Sequence, residues 1–176
     1  QYVQYGREMG IDVVQNTAYT SPDGIRVSSS VVRRLLTEGD VALAASCLGR
    51  PYQLQGTVAH GFAEGRKMGF PTANLDVSGL PLLIPARGVY AVRVGFGNEA
   101  CVRPAMLNIG QRPTFGGLLT TIEAHVFHFS ADVYGQPMRV AFVDRLRQEQ
   151  RFDSVEALER QLADDQRAAL RVLGEK

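Results

Sequence analysis

The sequence predicts a mainly β protein, an antiparallel sandwich or barrel, closed off by one C-terminal helix and preceded by a helical segment. Three observations carry this. From Tyr52 to Leu146 several extended stretches follow one another without helical periods between them, which favours antiparallel over parallel pairing. Gly and Pro clusters separate those stretches. After Asp153 the apolar spacing changes to that of an amphipathic helix.

The elements can be justified in order. Tyr2 to Met9 reads as the end of a helix, Ile11 to Val14 as a strand, and Ser21-Pro22-Asp23-Gly24 as a turn. Ser28 to Ser30 lead into a short helix, Val31 to Leu36, which Gly39 stops. Asp40 can cap a second helix, Val41 to Leu48, ended by Gly49. These pieces are too few to bury a core alone, so residues 1–50 read as the tail of one domain and residues 51–176 as another. The strand candidates are Tyr52 to Ala59, Gly88 to Val94, Ala100 to Ile109, Thr121 to Phe129 and Met138 to Leu146. The cluster Gly110 to Gly117 reads as a loop between two of them. In the last helix, Asp153 is the expected cap and Glu156 its reciprocal partner. Val155, Leu158, Leu162, Ala169 and Val172 or Leu173 form its apolar stripe, and Gly174 ends it.

Composition sets the outer limits. The chain has 176 residues and is 45% hydrophobic, enough for a core without staples. Lys and Arg number 19 against 18 Asp and Glu, a balance that argues against a dedicated nucleic-acid binder. Cys47 and Cys101 form no CxxC pair and read as buried free thiols of a cytoplasmic protein. No apolar run approaches the roughly 20 residues that span a bilayer. The first residues show no signal-peptide pattern and no initiator Met, so the chain reads as processed or excerpted.

The densest information lies between Gly56 and Leu75. Gly61, Gly65 and Gly69 are evenly spaced, with Arg66 and Lys67 among them. Glycines let backbone approach a ligand closely, and free N–H groups with two cations suit a polyphosphate. Thr72 and Asn74 follow, offering neutral oxygens that share a face on an extended strand. Phosphate cradle plus oxygen ligands outlines a Mg-nucleotide site. No Gly-Lys-Ser/Thr follows at the Walker A spacing.

This segment resembles the glycine-rich and Pro-Thr-Ala-Asn segments of riboflavin kinases. The resemblance continues through Gly88-Val89-Tyr90-Ala91, Leu107 to Phe115, Ile122-Glu123-Ala124-His125, Asp132 to Gly135, and Leu146-Arg147 with Phe152. It implies a Greek-key β-barrel that transfers the γ-phosphoryl of ATP to the ribityl 5′-hydroxyl of riboflavin, giving FMN and ADP with Mg²⁺. It implies Thr72 and Asn74 as metal ligands, Gly61, Gly65, Arg66 and Lys67 as the phosphate cover, and Glu123 as general base. His125 would line the nucleotide side, and Asn108, Arg112, Phe115 and Arg147 would meet flavin.

Val27 to Arg33 is similar to the late Ser-Ser-Thr-x-x-Arg motif of FMN adenylyltransferase modules, with Ser30 in the Thr position. The early His-x-Gly-His motif of that module is absent from this chain, whose histidines are His60, His125 and His128. The resemblance therefore implies the C-terminal portion of a bifunctional FAD synthetase. Residues 1–50 would be the helical remnant of its α/β nucleotidyltransferase module. The expected partners are small-molecule substrates, with no nucleic acid and no membrane. Contact with the missing module or self-association stays open. Two other classes compete: a non-catalytic flavin- or nucleotide-binding regulatory module, and a barrel that binds single-stranded nucleic acid. The joint presence of Thr72, Asn74 and Glu123 weighs against the first, and the charge balance with no Trp weighs against the second.

Overall fold

A computed structural model gives the architecture and describes residues 2–14, 16–61, 69–114 and 117–175. Three helices come first: α1 (Tyr2–Glu8), α2 (Ser29–Glu38) and α3 (Val41–Leu48). Six strands follow: β1 (Gln53–Ala59), β2 (Ala73–Asp76), β3 (Gly88–Phe96), β4 (Arg103–Thr114), β5 (Gly117–Val126) and β6 (Pro137–Arg147). The helix α4 (Val155–Leu173) ends the chain.

The strands close into an antiparallel barrel in the order β1-β2-β5-β4-β3-β6. Strands β5, β4 and β3 are consecutive neighbours, and β6 returns by a longer path to lie beside β3, which is the Greek-key order. Closure leaves no free sheet edge.

Alternation along each strand separates an inner from an outer face. Leu54, Val58, Val92, Leu107, Ile109, Ile122, Met138 and Phe142 fill the interior. Tyr90 and Phe142 meet edge to face at 5.2 Å, and the Tyr90 hydroxyl donates to the Ala86 carbonyl. Ala91 and Met106 point outward but are covered by Ala169 and Leu173 of α4. Strand β3 is therefore buried on both faces. Arg93, also outward, donates to the Leu173 carbonyl at 2.8 Å. A cation there meets the negative end of the α4 dipole.

The first helices form as the caps predict. The Ser28 hydroxyl accepts from the Val31 N–H, and the Asp40 carboxylate accepts from the Leu43 N–H. Gly39 ends α2 with φ of 87°, a conformation that costs glycine little. Leu35, Leu36, Val41, Ala44 and Cys47 join the same hydrophobic cluster as the barrel interior. Arg145 of β6 donates to the carbonyls of Glu38 and Arg87, tying the end of α2 to the barrel rim.

Four local expectations are corrected. Ile11 to Val14 form no strand, because no neighbouring strand pairs with them; Ile11, Val13 and Val14 are exposed. The cap of α4 is Ser154, whose hydroxyl accepts from the Ala157 N–H, so Asp153 lies outside the helix and Glu156 falls one position short of a capping box. Pairing of β4 with β5 runs from Ala105↔Val126 to Thr114↔Gly117, so Arg112 stands on a strand and not in a loop, continuing the strand that holds Asn108. A continuous antiparallel ladder outweighs the local turn tendency of Gly110 and Pro113. Cys101 is only half-buried, whereas Cys47 is buried as expected.

Because α2 shares the barrel core, Leu36→Ala is expected to lower the stability of the whole chain by about 2–5 kcal/mol in one cooperative transition. Urea unfolding followed at the barrel and at the helices checks this; a barrel transition that ignores the substitution contradicts the shared core.

Candidate active site

One row of residues crosses the outer face of the sheet. Asn74 of β2 pairs with Glu123 of β5, Glu123 with Asn108 of β4, Asn108 with Val89 of β3, and Val89 with Arg147 of β6. Residues directly opposite in an antiparallel pair point the same way. Their chain neighbours Ile122, Ala124, Leu107 and Ile109 face the interior, so this row faces out, toward α4. Three strand spacings separate Glu123 from Arg147, about 14 Å measured along the sheet.

Glu123 stands at the polar end. Its carboxylate accepts from the Thr72 hydroxyl at 3.4 Å and lies 3.5 Å from the Arg112 guanidinium. Its side chain is 19% exposed, enough for a ligand to reach it and too little for bulk water to surround it. Beside it, Gly61 presses against Asn74: a Cβ built there would fall 2.0 Å from the Asn74 amide nitrogen. Only glycine fits without moving Asn74, which gives Gly61 a packing role in the site.

His125 follows Glu123 on the same face of β5. Its Nδ1 lies 2.8 Å from the Pro71 carbonyl oxygen, so Nδ1 carries the proton. Phe70 and Phe127 flank the ring at 5.2 and 5.6 Å. Burial lowers the pKa of His125 below its ordinary 6.5, partly opposed by the Pro71 hydrogen bond. His125 thus fixes the peptide just before Thr72, and with it the hydroxyl that meets Glu123.

Two cavities meet at Thr72. The smaller, about 270 Å³, brings together Thr72, Asn108, Arg112, Glu123, His125 and Arg147. Its remaining wall is largely apolar and includes Phe70, Phe152 and Leu162. The second, about 700 Å³, lies on the other side of Thr72 and is walled by Val58, Phe96, Phe129 and Tyr134. A larger open groove, about 1160 Å³, runs between α2 and the β4–β5 hairpin and, among the described residues, holds none of those predicted for the site. Gly65, Arg66, Lys67 and Phe115 lie outside the described residues.

A family model for riboflavin kinase matches residues 48–173. The chain belongs to the riboflavin kinase family. It is 38% identical over 170 residues to the bifunctional riboflavin kinase/FMN adenylyltransferase of Escherichia coli K12, covering 96% of this chain and 53% of that protein. The protein of the same description from Bacillus subtilis is 38% identical over 149 residues, covering 83% and 46%. A crystal structure described as a macrolide-efflux protein from Streptococcus pneumoniae has a TM-score of 0.82 at 33% identity, covering 94% of this chain and 53% of that one. The chain spans about half the length of the curated relatives it matches. Among the described residues, no helix is long and apolar enough to cross a membrane.

Among the residues of the smaller cavity that the sequence did not point to, one carries a buried charge. Asp165 of α4 is 3% exposed and grips Arg147. A signal was present: it fills the gap between Leu162 and Ala169 in the apolar stripe, where a carboxylate is out of place.

The depressed His125 pKa has a definite sign. The unfolded chain binds the proton more readily than the folded one, so stability falls as pH drops through 6.5 toward the folded value. The expected outcome is an imidazole titration below 6.5, followed by NMR, and a shallower loss of stability across that window in His125→Asn. An unshifted titration contradicts the burial argument.

Proposed function

We propose that this chain is a riboflavin kinase: it transfers the γ-phosphoryl of ATP to the 5′-hydroxyl of riboflavin, with FMN and ADP as products. The observation that carries the reading is the contact of Thr72 with Glu123 at the junction of two cavities. A two-substrate transfer needs a shared border where the reacting groups meet. The smaller cavity takes the flavin, with its ring at the apolar Phe152 and Arg147 end and its ribityl chain running to Glu123. The second cavity takes the nucleotide, with its phosphates at Thr72.

Glu123 is the general base. As the hydroxyl oxygen bonds to the γ-phosphorus, the hydroxyl proton passes to a Glu123 carboxylate oxygen, and the bond from the γ-phosphorus to the bridging oxygen breaks to release ADP. Thr72 and Asn74 supply a hydroxyl and an amide oxygen next to a carboxylate, a donor set suited to a hard cation. Among the described residues no cluster of three His, Cys, Asp or Glu could hold a metal. When bound, Mg²⁺ neutralises the charge that gathers on the phosphate oxygens. Gly61 keeps Asn74 in place, and His125 keeps Thr72 in place through Pro71. The family resemblance assigns Gly65, Arg66 and Lys67 to the phosphates and Phe115 to the flavin.

Residues 1–50 are the end of an FMN adenylyltransferase module, in line with the bifunctional relatives. The adenylyl step is not assigned to this chain, which lacks the His-x-Gly-His motif. A reaction that consumes ATP fits a cytoplasmic setting.

Incubation with riboflavin and MgATP is expected to yield FMN and ADP in equal amounts; an inactive chain that still binds flavin favours the regulatory module instead. Glu123→Gln is expected to leave MgATP binding intact and to lower turnover about 10²–10⁴-fold. Thr72→Ala with Asn74→Ala is expected to weaken ATP binding in Mg²⁺ but not in EDTA, measured by calorimetry. Equal losses in both media remove these two residues from the metal.

A further inference from the structure

Asp165 sits in the middle of α4 and, with Ser21, is one of two fully buried polar or charged residues among those described. Arg147 holds it in a fork: Nε lies 2.9 and 3.1 Å from the two carboxylate oxygens, and one terminal nitrogen lies 2.7 Å from the second. The Gln161 amide donates to the same carboxylate at 2.9 Å, and Gln150 donates to Gln161 at 3.1 Å. Asp165, Arg147 and Gln150 all line the smaller cavity.

Stability gives this pair little reason to exist. Leu162 and Ala169 bracket Asp165 on the buried stripe, and an apolar residue would continue it. A buried ion pair returns less than well-packed apolar groups of similar volume. The guanidinium has five N–H donors. Two bond Asp165 and one bonds the Gln148 carbonyl at 3.0 Å. One N–H on each terminal nitrogen remains, with no protein partner among the described residues. The Phe152 ring, 5.7 Å from the guanidinium carbon, restricts the guanidinium plane. A flat group with two unused donors, fixed at the ring end of the cavity, matches the carbonyl edge of a planar heterocycle.

We propose that Asp165 is a positioning residue: supported by Gln161, it holds Arg147 so that the remaining guanidinium donors take the carbonyl edge of the flavin ring. The inference rests on the riboflavin kinase reading above. Asp165 does not touch substrate. It sets the angle at which Arg147 does, and it keeps that half-buried cation paired.

Steady-state kinetics of Asp165→Asn tests this, since the substitution keeps the shape and removes the charge. The riboflavin KM is expected to rise about 10- to 100-fold. The MgATP KM and kcat are expected to stay within about threefold of wild type. In an Arg147→Gln background, Asp165→Asn is expected to change the riboflavin KM by less than about twofold, because the two residues act as one unit. An unchanged riboflavin KM, a parallel rise in both KM values, or a full penalty repeated in the Arg147→Gln background overturns the proposal. If Asp165→Asn does not fold, Arg147→Met with Asp165→Leu refills the site with apolar groups. That variant is expected to fold and bind MgATP while losing riboflavin binding, read by flavin fluorescence; riboflavin binding at wild-type strength overturns the proposal. The wild-type chain separates the two failures. If it makes no FMN, the kinase reading falls and takes this inference with it. If it is active and Asp165→Asn is indifferent, only the positioning role falls.

Discussion

The pairing of β5 between β2 and β4 holds Glu123 in line with Asn74 on one side and Asn108 on the other, and the rest of the site is arranged around that line. Backbone hydrogen bonds across three strands set these positions, so no side chain has to search for its place. The closed sheet also fixes direction. Each residue of the row alternates with one that is committed to the barrel interior, and slipping any strand by one residue would send Glu123 inward and Ile122 or Ala124 outward. The apolar interior therefore enforces the polar site.

Helix α4 makes the outer face usable. A barrel alone would leave Ala91 and Met106 in water and would offer ligands an open surface. With α4 in place those residues are covered, and a cleft of about 270 Å³ remains between helix and sheet. Two arginines from neighbouring strands anchor the helix in different ways. Arg93 meets the Leu173 carbonyl at its C-terminal end, and Arg147 meets the Asp165 carboxylate in mid-helix. The first contact satisfies backbone groups that every helix end leaves open. The second places charge inside the cleft, where an unpaired ion would be costly.

Thr72 links the two cavities. It borders both cavities and contacts Glu123, while His125 secures the residue just before it. Its hydroxyl is thus held from the same strand that carries the carboxylate. Any shift of β5 moves acceptor, anchor and partner together, which preserves their geometry.

Much of this was legible in the order of residues. Helices α2 and α3 follow from Ser28, Gly39, Asp40 and Gly49, because caps act through neighbouring backbone groups. Glu123 and His125 lie two apart within the strand expected from Thr121 to Phe129, so alternation puts them on one face, and the oxygens and family segment of Thr72 and Asn74 single those two out as candidates. What escaped depends on partners distant in the chain. Ile11 to Val14 have the composition of a strand and no strand to pair with. Arg112 reads as loop because Gly110 and Pro113 signal a turn, yet the ladder with β5 carries the strand past it. Asp165 stands out of place in the apolar stripe, but nothing local names its partner until β6 brings Arg147 against it from 18 residues away. Sequence alone determined what each segment can form by itself, since propensities, caps and alternation are local. Tertiary structure alone decided which groups meet, since closing the barrel and laying α4 across it bring residues together that no spacing in the chain relates.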